Sequence, residues 1–329
     1  MNFWTNIDTP LDFFAFFLAV CVVFVNGWTD APNAICSVVL SKRLSLFKAS
    51  LLSGAFNLLG VIVSTILVPA VAKSIFRLAE SPTPRQGSIL CLSSFICVVL
   101  FGVISWLFSM PSSESHALIF SLAGASLCVF GNASSLLKDT ISIIIYMIFS
   151  IVISFAITSF LFWVLKKKRL PYSKLLIFSS ASISFMHGAQ DGQKFIGILL
   201  FLLGTGASTS GSTATILAAL VGTVMSLSTL LGGKRIIKSM GQITAQPSLC
   251  NSFLSDAGAF VGMLICSLLG MPVSTGSIKS STLLACGISS KERINKRAAI
   301  RIFSVSLATL PICFFAGYII AKILLLLPI

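Results

Sequence analysis

Two aspartates sit where an apolar chain should carry none. Asp30 lies in Asn26-Gly27-Trp28-Thr29-Asp30-Ala31-Pro32-Asn33, and Asp191 in His187-Gly188-Ala189-Gln190-Asp191-Gly192-Gln193-Lys194. Each stretch is embedded in a long apolar run with glycine nearby, and the first has a proline that removes a helix hydrogen bond. A carboxylate at bilayer depth costs about 2.5–3.5 kcal/mol even on the mild insertion scale, and such residues mark ion and substrate paths. The two aspartates are 161 positions apart. A second pair of motifs keeps that spacing: Met110-Pro111-Ser112-Ser113-Glu114-Ser115-His116 and Met271-Pro272-Val273-Ser274-Thr275-Gly276-Ser277, with Pro111 and Pro272 again 161 apart. One offset shared by two motif pairs points to an internal repeat and to a site built from two halves.

The residue types in these motifs suit two charges of opposite sign. Ionised carboxylates accept hydrogen bonds and cannot donate, so Asp30, Asp191 and Glu114 are expected to hold a coupling cation, either Na⁺ or a proton. Asp30 and Asp191 would be the metal ligands if that ion is Na⁺. Hydroxyls, amides, lysine and the free N–H groups of a helix start donate to oxyanions. The anion is therefore assigned to Ser113, Ser115, Ser274, Thr275, Asn33, Gln190 and Lys194, with Gln193 beside them. His116, His187, Ser277 and Lys279 lie close in sequence; capping or interfacial roles compete there with substrate or proton roles. Lys194 is long enough to snorkel to an interface instead. Asp256, beside Asn251 and Gln246, reads as an interhelical hydrogen-bonding residue. The glycine pairs Gly54…Gly60 and Gly258…Gly262 read as close helix contacts.

The elements that must position these groups are membrane helices. The chain is 56% hydrophobic and 10% charged, with mean hydropathy +1.01, the composition of a polytopic membrane protein. The N-terminus carries Asp8 and Asp12 and no basic residue before Lys42, so the first apolar segment is expected to remain as a span. Nine cysteines without C-x-x-C spacing read as small interface hydrophobes. The net charge of +14 falls between apolar segments, which favours orientation and lipid headgroups over nucleic acid.

Ten apolar segments are predicted, at 11–41 (broken near Gly27–Asn33), 46–72, 87–110, 114–133, 139–165, 173–203, 210–232, 250–270, 274–289 and 298–328. The fourth and ninth are short and begin at polar clusters, as re-entrant or broken helices do. One set of loops holds Lys42, Arg43 and Lys48, the run Lys166 to Arg169 with Lys174, then Lys234, Arg235 and Lys238, then Lys291, Arg293, Lys296, Arg297 and Arg301. The other holds Lys73, Arg77, Arg85 and Lys138, offset by Glu80 and Asp139. The basic side is cytoplasmic by the positive-inside rule, and ten crossings put both termini outside. Five segments per repeat is an odd number, so the copies enter the membrane from opposite faces, the inverted-topology architecture of secondary transporters. The expected fold is an all-α polytopic membrane protein of two inverted repeats. Residues 1–138 form the first, 139–172 a linking helix and basic loop, and 173–329 the second.

The stretches GWTDAPNAI (Gly27–Ile35), HGAQDGQK (His187–Lys194), PSSESHAL (Pro111–Leu118) and GMPVST (Gly270–Thr275) resemble the inorganic phosphate transporter (PiT) family. That family carries G-x-N-D-x-x-N and, later, P-x-S-x-x-H in each half. Asp30, Asn33, Asp191 and Lys194 match the first motif, and Ser113, Ser115, His116, Ser274 and Thr275 the second. Thr29 and Gln190 stand where the family often has Asn, Ser277 replaces the second His, and Glu114 and Lys279 add charges. The resemblance implies import of inorganic phosphate across the plasma membrane with Na⁺ or H⁺, no other cofactor, and both termini outside. A sulfate or other oxyanion permease and an uncoupled anion channel are the alternatives, and a homo-oligomer is left open. Nothing reads as an enzyme: there is no metal-ligand spacing, nucleotide loop or nucleophile–base pair.

Overall fold

The computed structural model describes residues 9–79, 83–110, 113–131, 134–204, 211–243, 248–292 and 294–327. Pro111, Ser112, Gln246, Glu80 and Arg293 lie outside the described residues, as do the side chains of Lys138 and Asp139. The described chain is helical throughout, as expected. Side chains set the helix starts. Thr9 and Asp12 form a capping box before Pro10, and Ser45, Thr83, Ser113, Ser248, Ser274 and Asn295 each accept the N–H three residues on. Such a cap contributes about 1 kcal/mol.

The helices among the described residues fall into two series of seven. The first is α1 (Pro10–Thr29), α2 (Pro32–Leu40), α3 (Leu46–Leu67), α4 (Ala70–Ala79), α5 (Pro84–Leu107), α6 (Glu114–Phe130) and α7 (Ser134–Leu165). The second is α8 (Tyr172–His187), α9 (Gln193–Leu202), α10 (Ser212–Thr229), α11 (Lys234–Met240), α12 (Leu249–Leu268), α13 (Thr275–Ser290) and α14 (Lys296–Leu326). A single π turn, Gly188–Gly192, joins α8 to α9. Packing exchanges the two series. α1 lies on α10 and α8 on α3; α14 covers α5 and α6, and α7 covers α12 and α13. The long helix that ends each series therefore braces the opposite one.

Among the described residues, seven helical stretches are long and apolar enough to cross a membrane. With α6, α13 and the unbroken run from Tyr172 to Leu202 they account for the ten apolar segments. α6 has 17 residues and α13 has 16, about 25 Å of helix against about 30 Å of hydrocarbon. Boundaries differ from expectation in several places: α7 starts at Ser134 rather than 139, and two segments stop early. The second segment stops at Leu67, because Pro69 interrupts the backbone ladder, and α4 follows as a separate short helix. The seventh stops at Thr229 ahead of Gly232 and Gly233, and α11 follows. One pole of the bundle gathers the 42–46 loop, the end of α5, the start of α8, α11 and the start of α14 around a shared apolar cluster that includes Leu44, Trp106, Leu176, Ile236 and Ile302. Two basic residues bind the end of α5 at that pole: Arg235 stacks on Trp106 at 4.3 Å and Arg301 donates to the Phe108 carbonyl oxygen at 3.4 Å.

Large apolar side chains such as Phe13, Phe178, Leu307 and Phe315 face outward, whereas Asp30, Asn57, Asp191, Lys194, Asp256 and Lys279 are buried. The interior stays dense because glycines admit backbone. A Cβ on Gly188 would lie 2.2 Å from the Asn57 carbonyl oxygen, and one on Gly60 would lie 2.0 Å from that of Phe185. A side chain there must push α3 off the π turn. Gly188→Val is expected to cost about 3 kcal/mol, the upper end for overpacking. A lowered melting midpoint of the purified protein would show it.

Candidate functional site

Both aspartate motifs distort their helix, in related ways. In the first, Pro32 lacks an N–H, and the Ala31 N–H reaches back five residues to Asn26 O at 3.3 Å before Asn33 N–H bonds Asp30 O at 3.0 Å. The helix breaks there. In the second no proline intervenes, and the distortion is absorbed in the π turn without a break. π turns recur at functional sites because they reorient side chains in mid-helix. The result is convergence: one ligand atom each from Asp30, His187 and Asp191 lies within 4.8 Å of the others. Carboxylates at that distance repel by about 3–4 kcal/mol at an effective dielectric constant near 20, so the cluster requires positive charge.

Asp191 has its compensation on the chain. Its Oδ1 accepts from Lys194 Nζ at 2.6 Å and from Ser115 at 3.3 Å, and its Oδ2 from Asn26 at 3.0 Å. His187 Nε2 lies 3.3 Å from the same Oδ2, while its Nδ1 meets Asn57 Oδ1 at 3.1 Å. Asp30 differs. Asn33 donates to its Oδ1 at 2.6 Å, and its buried Oδ2 has no hydrogen-bond partner among the described residues. Glu114 Oε1 accepts from Thr29 at 2.6 Å, and its Oε2 is likewise unpartnered and buried. Asn26 Oδ1 and Asn33 Oδ1 add two further unpartnered acceptors. Buried polar atoms are rarely left unpaired, and a group of acceptors with carboxylate charge fits a cation.

The starts of α6 and α13 supply the opposite chemistry. Ser113 and Ser274 accept the N–H groups of His116 and Ser277 at 3.2 and 3.3 Å, so both hydroxyl oxygens act as caps. Thr275 Oγ1 and His116 Nε2 are buried and unpartnered. His116 Nδ1 lies 3.3 Å from Ser306 Oγ, which lies 3.0 Å from Ser277 Oγ, so α14 bridges the two starts. Each start touches an aspartate motif. Glu114 and Ser115 meet Thr29 and Asp191, and a Cβ on Gly276 would lie 3.5 Å from Asp30 Oδ1.

Four expected site residues have hydrogen-bond or ion-pair partners within the chain. Gln190 donates to the carbonyls of Met263 and Met271 at 3.5 and 3.4 Å, bracing the turn before α13. Gln193 accepts the Val71 and Ala72 N–H groups, capping α4, and donates to Val68 O. Lys194, read as an anion donor, directs its ammonium to Asp191. Lys279 is paired with Asp256, which also accepts from Ser180 at 2.8 Å and Ser179 at 3.4 Å. Lys279 also donates to Ser37 Oγ at 2.8 Å, one turn beyond Asn33, and Asn251 bonds Glu292 rather than Asp256. Sequence reasoning missed Asn26, Asn57 and Ser306. Asn26 was accessible through the 161-residue offset, since its counterpart is His187. Asn57 was visible as an amide inside an apolar run.

Comparison with known proteins decides the family. The sequence profile of the phosphate transporter family matches residues 26–171 and 165–317. The chain belongs to this family. A "Probable low-affinity inorganic phosphate transporter" of Bacillus subtilis is 28% identical over 310 residues, covering 90% of this chain and 92% of the relative. A protein of the same description in Mycobacterium tuberculosis is 24% identical over 313 residues, covering 91% and 74%. A solved structure described as "The sodium-dependent phosphate transporter" superposes with a TM-score of 0.81 over 97% of this chain and 100% of that one, at 17% identity. That likeness is one of fold. Within this phosphate transporter family member, both motif pairs fall inside the matched residues.

Proposed function

We propose that this protein imports inorganic phosphate across the plasma membrane by coupling it to Na⁺ or H⁺. Family membership and the relatives' names support phosphate as the substrate. The observation that carries the coupling is the convergence of Asp30 and Asp191 with the unpartnered carboxyl oxygens of Asp30 and Glu114, beside the starts of the short helices α6 and α13. Acceptors without donors hold a cation. The starts of α6 and α13, with Thr275 and His116 facing in, hold the anion through N–H and O–H groups. Anion and cation then favour each other's binding, and by linkage the gain is reciprocal. The exchanged packing of the two helix series supports an inverted repeat, with the basic pole cytoplasmic and both termini outside.

Uptake of labelled phosphate into proteoliposomes, with Na⁺ and pH gradients imposed separately, tests the reading. Uptake should require one of the two gradients and resist competition by sulfate. Flux that needs neither gradient points to a channel, and equal competition by sulfate points to a general oxyanion permease. Ser113→Ala with Ser274→Ala is expected to weaken phosphate binding by about tenfold, for loss of about 1.5 kcal/mol of hydrogen bonding, and raised coupling ion should restore part of it. For topology, cysteines at Met110 and Met271 serve on a background without the native cysteines, since both positions are partly exposed. The first should react with an impermeant thiol reagent from the cytoplasm and the second from outside. Reaction of both from one face removes the inversion.

A further inference from the structure

The 161-residue offset compares the two halves atom by atom at the aspartates. Asp30 corresponds to Asp191, Asn33 to Lys194, and Gly276 to Ser115. At Asp30, the Asn33 amide sits 2.6 Å from Oδ1, and Gly276 stands where a Cβ would lie 3.1 Å from that amide nitrogen. At Asp191, the Lys194 ammonium sits 2.6 Å from Oδ1, 2.6 Å from Ser115 Oγ and 2.5 Å from the Val273 carbonyl oxygen. The two halves thus build related seats. One contains a carboxylate, a hydroxyl and a backbone carbonyl oxygen, the ligand set of a hard monovalent cation, and a charged nitrogen fills it. The other has a neutral amide in the same place, a glycine in place of the hydroxyl, and an unpartnered carboxylate oxygen. An ammonium has three donors. All three of Lys194's are taken, and the residue is buried, so it has none left for an anion.

We propose that Lys194 is a built-in cation: its ammonium fills one of two related cation seats, at Asp191, so that only the seat at Asp30 exchanges ions with solution. Lys194 thereby sets the ion requirement, and transport uses one mobile cation fewer than it would with a small neutral residue there. The inference rests on the coupled-transport reading above, but its binding test does not depend on transport.

The test compares wild type, Lys194→Ala and Lys194→Met. Binding of radiolabelled sodium to the purified proteins is counted at constant ionic strength with phosphate present, and labelled-phosphate uptake is measured in proteoliposomes. Lys194→Ala opens the seat to water and ions, and should bind one more sodium per molecule than wild type. Compared with wild type at the same low sodium and with both gradients imposed, its uptake should fall about tenfold or more, and it should recover largely in saturating sodium. In Lys194→Met an apolar chain occupies the seat, so sodium should neither gain a site nor rescue uptake. Equal sodium counts in wild type and Lys194→Ala overturn the proposal, as does equal rescue of both variants. Failure of Lys194→Ala to fold with sodium present throughout also overturns it, since sodium is held to replace the ammonium. A wild type that moves no phosphate under any gradient removes the transport reading instead, and the sodium counts still decide this one.

Discussion

Asp30→Asn is expected to abolish coupled phosphate uptake while leaving insertion and folding intact. The amide keeps the shape of the side chain and can still accept from Asn33. What disappears is a charge whose second oxygen is buried and unpartnered. One unit charge acting on a cation about 4–5 Å from the centre of its charge contributes about 3–4 kcal/mol at an effective dielectric constant near 20. That is about two to three decades in cation occupancy, and uptake should fall by as much. Stability should hold or rise, because Asp30 shares a small volume with Asp191 and repels it. Asp191→Asn should fail differently. It strands Lys194 in the interior, and breaking a buried pair costs about 3–5 kcal/mol, so folded protein should be lost along with transport. Asp191→Asn combined with Lys194→Met should recover folding but not uptake. Uptake assays beside size-exclusion profiles separate the two behaviours. If Asp30→Asn transports normally, the carboxylate cluster is not where the ion binds.

This divergence between twin aspartates marks where the sequence stops being readable. The offset exposed backbone equivalence, so the two motif pairs, the short helices α6 and α13 and their serine caps could all be anticipated. It could not reveal which way a long side chain turns. Lys194 reaches Asp191, a turn away on its own helix, and also Ser115 and Val273 on other elements; no spacing encodes that choice. Gln193 is equally opaque, because the helix it caps, α4, is too short to announce itself in hydropathy. The departures from the family pattern prove informative together. Thr29 and Glu114, each noted as unusual, are hydrogen-bonded partners. Ser277, standing where a histidine is expected, joins His116 through Ser306. Each departure was legible singly, and their contact was not, because 85 residues separate Thr29 from Glu114.

Lys279, the other unusual charge, is where the second large effect is expected. Its ammonium is buried against Asp256 and also donates to Ser37 at 2.8 Å and Ser255 at 3.2 Å. These contacts tie α13 to α2 and α12, and Ser179 and Ser180 extend the tie to α8. Lys279→Met leaves Asp256 with hydroxyl donors alone, and Asp256→Leu leaves Lys279 with hydroxyl acceptors alone. Each single change should cost about 3–5 kcal/mol, a large share of a total stability of about 5–15 kcal/mol. Joint replacement by apolar residues of similar volume removes both charges and both desolvation penalties, so the double variant should melt near wild type. The cycle should return a coupling energy of several kcal/mol, measured as melting midpoints of the purified proteins. Transport then separates two roles. A pair that only fastens α13 leaves the double variant able to carry phosphate, because Asp30, Glu114 and Thr275 are untouched. A double variant that folds as wild type and carries none would mean that the pair takes part in the transport cycle. The physical reason would be that α13, whose start faces the anion seat, must move relative to α2, and a polar tie can break and re-form where an apolar contact stays shut.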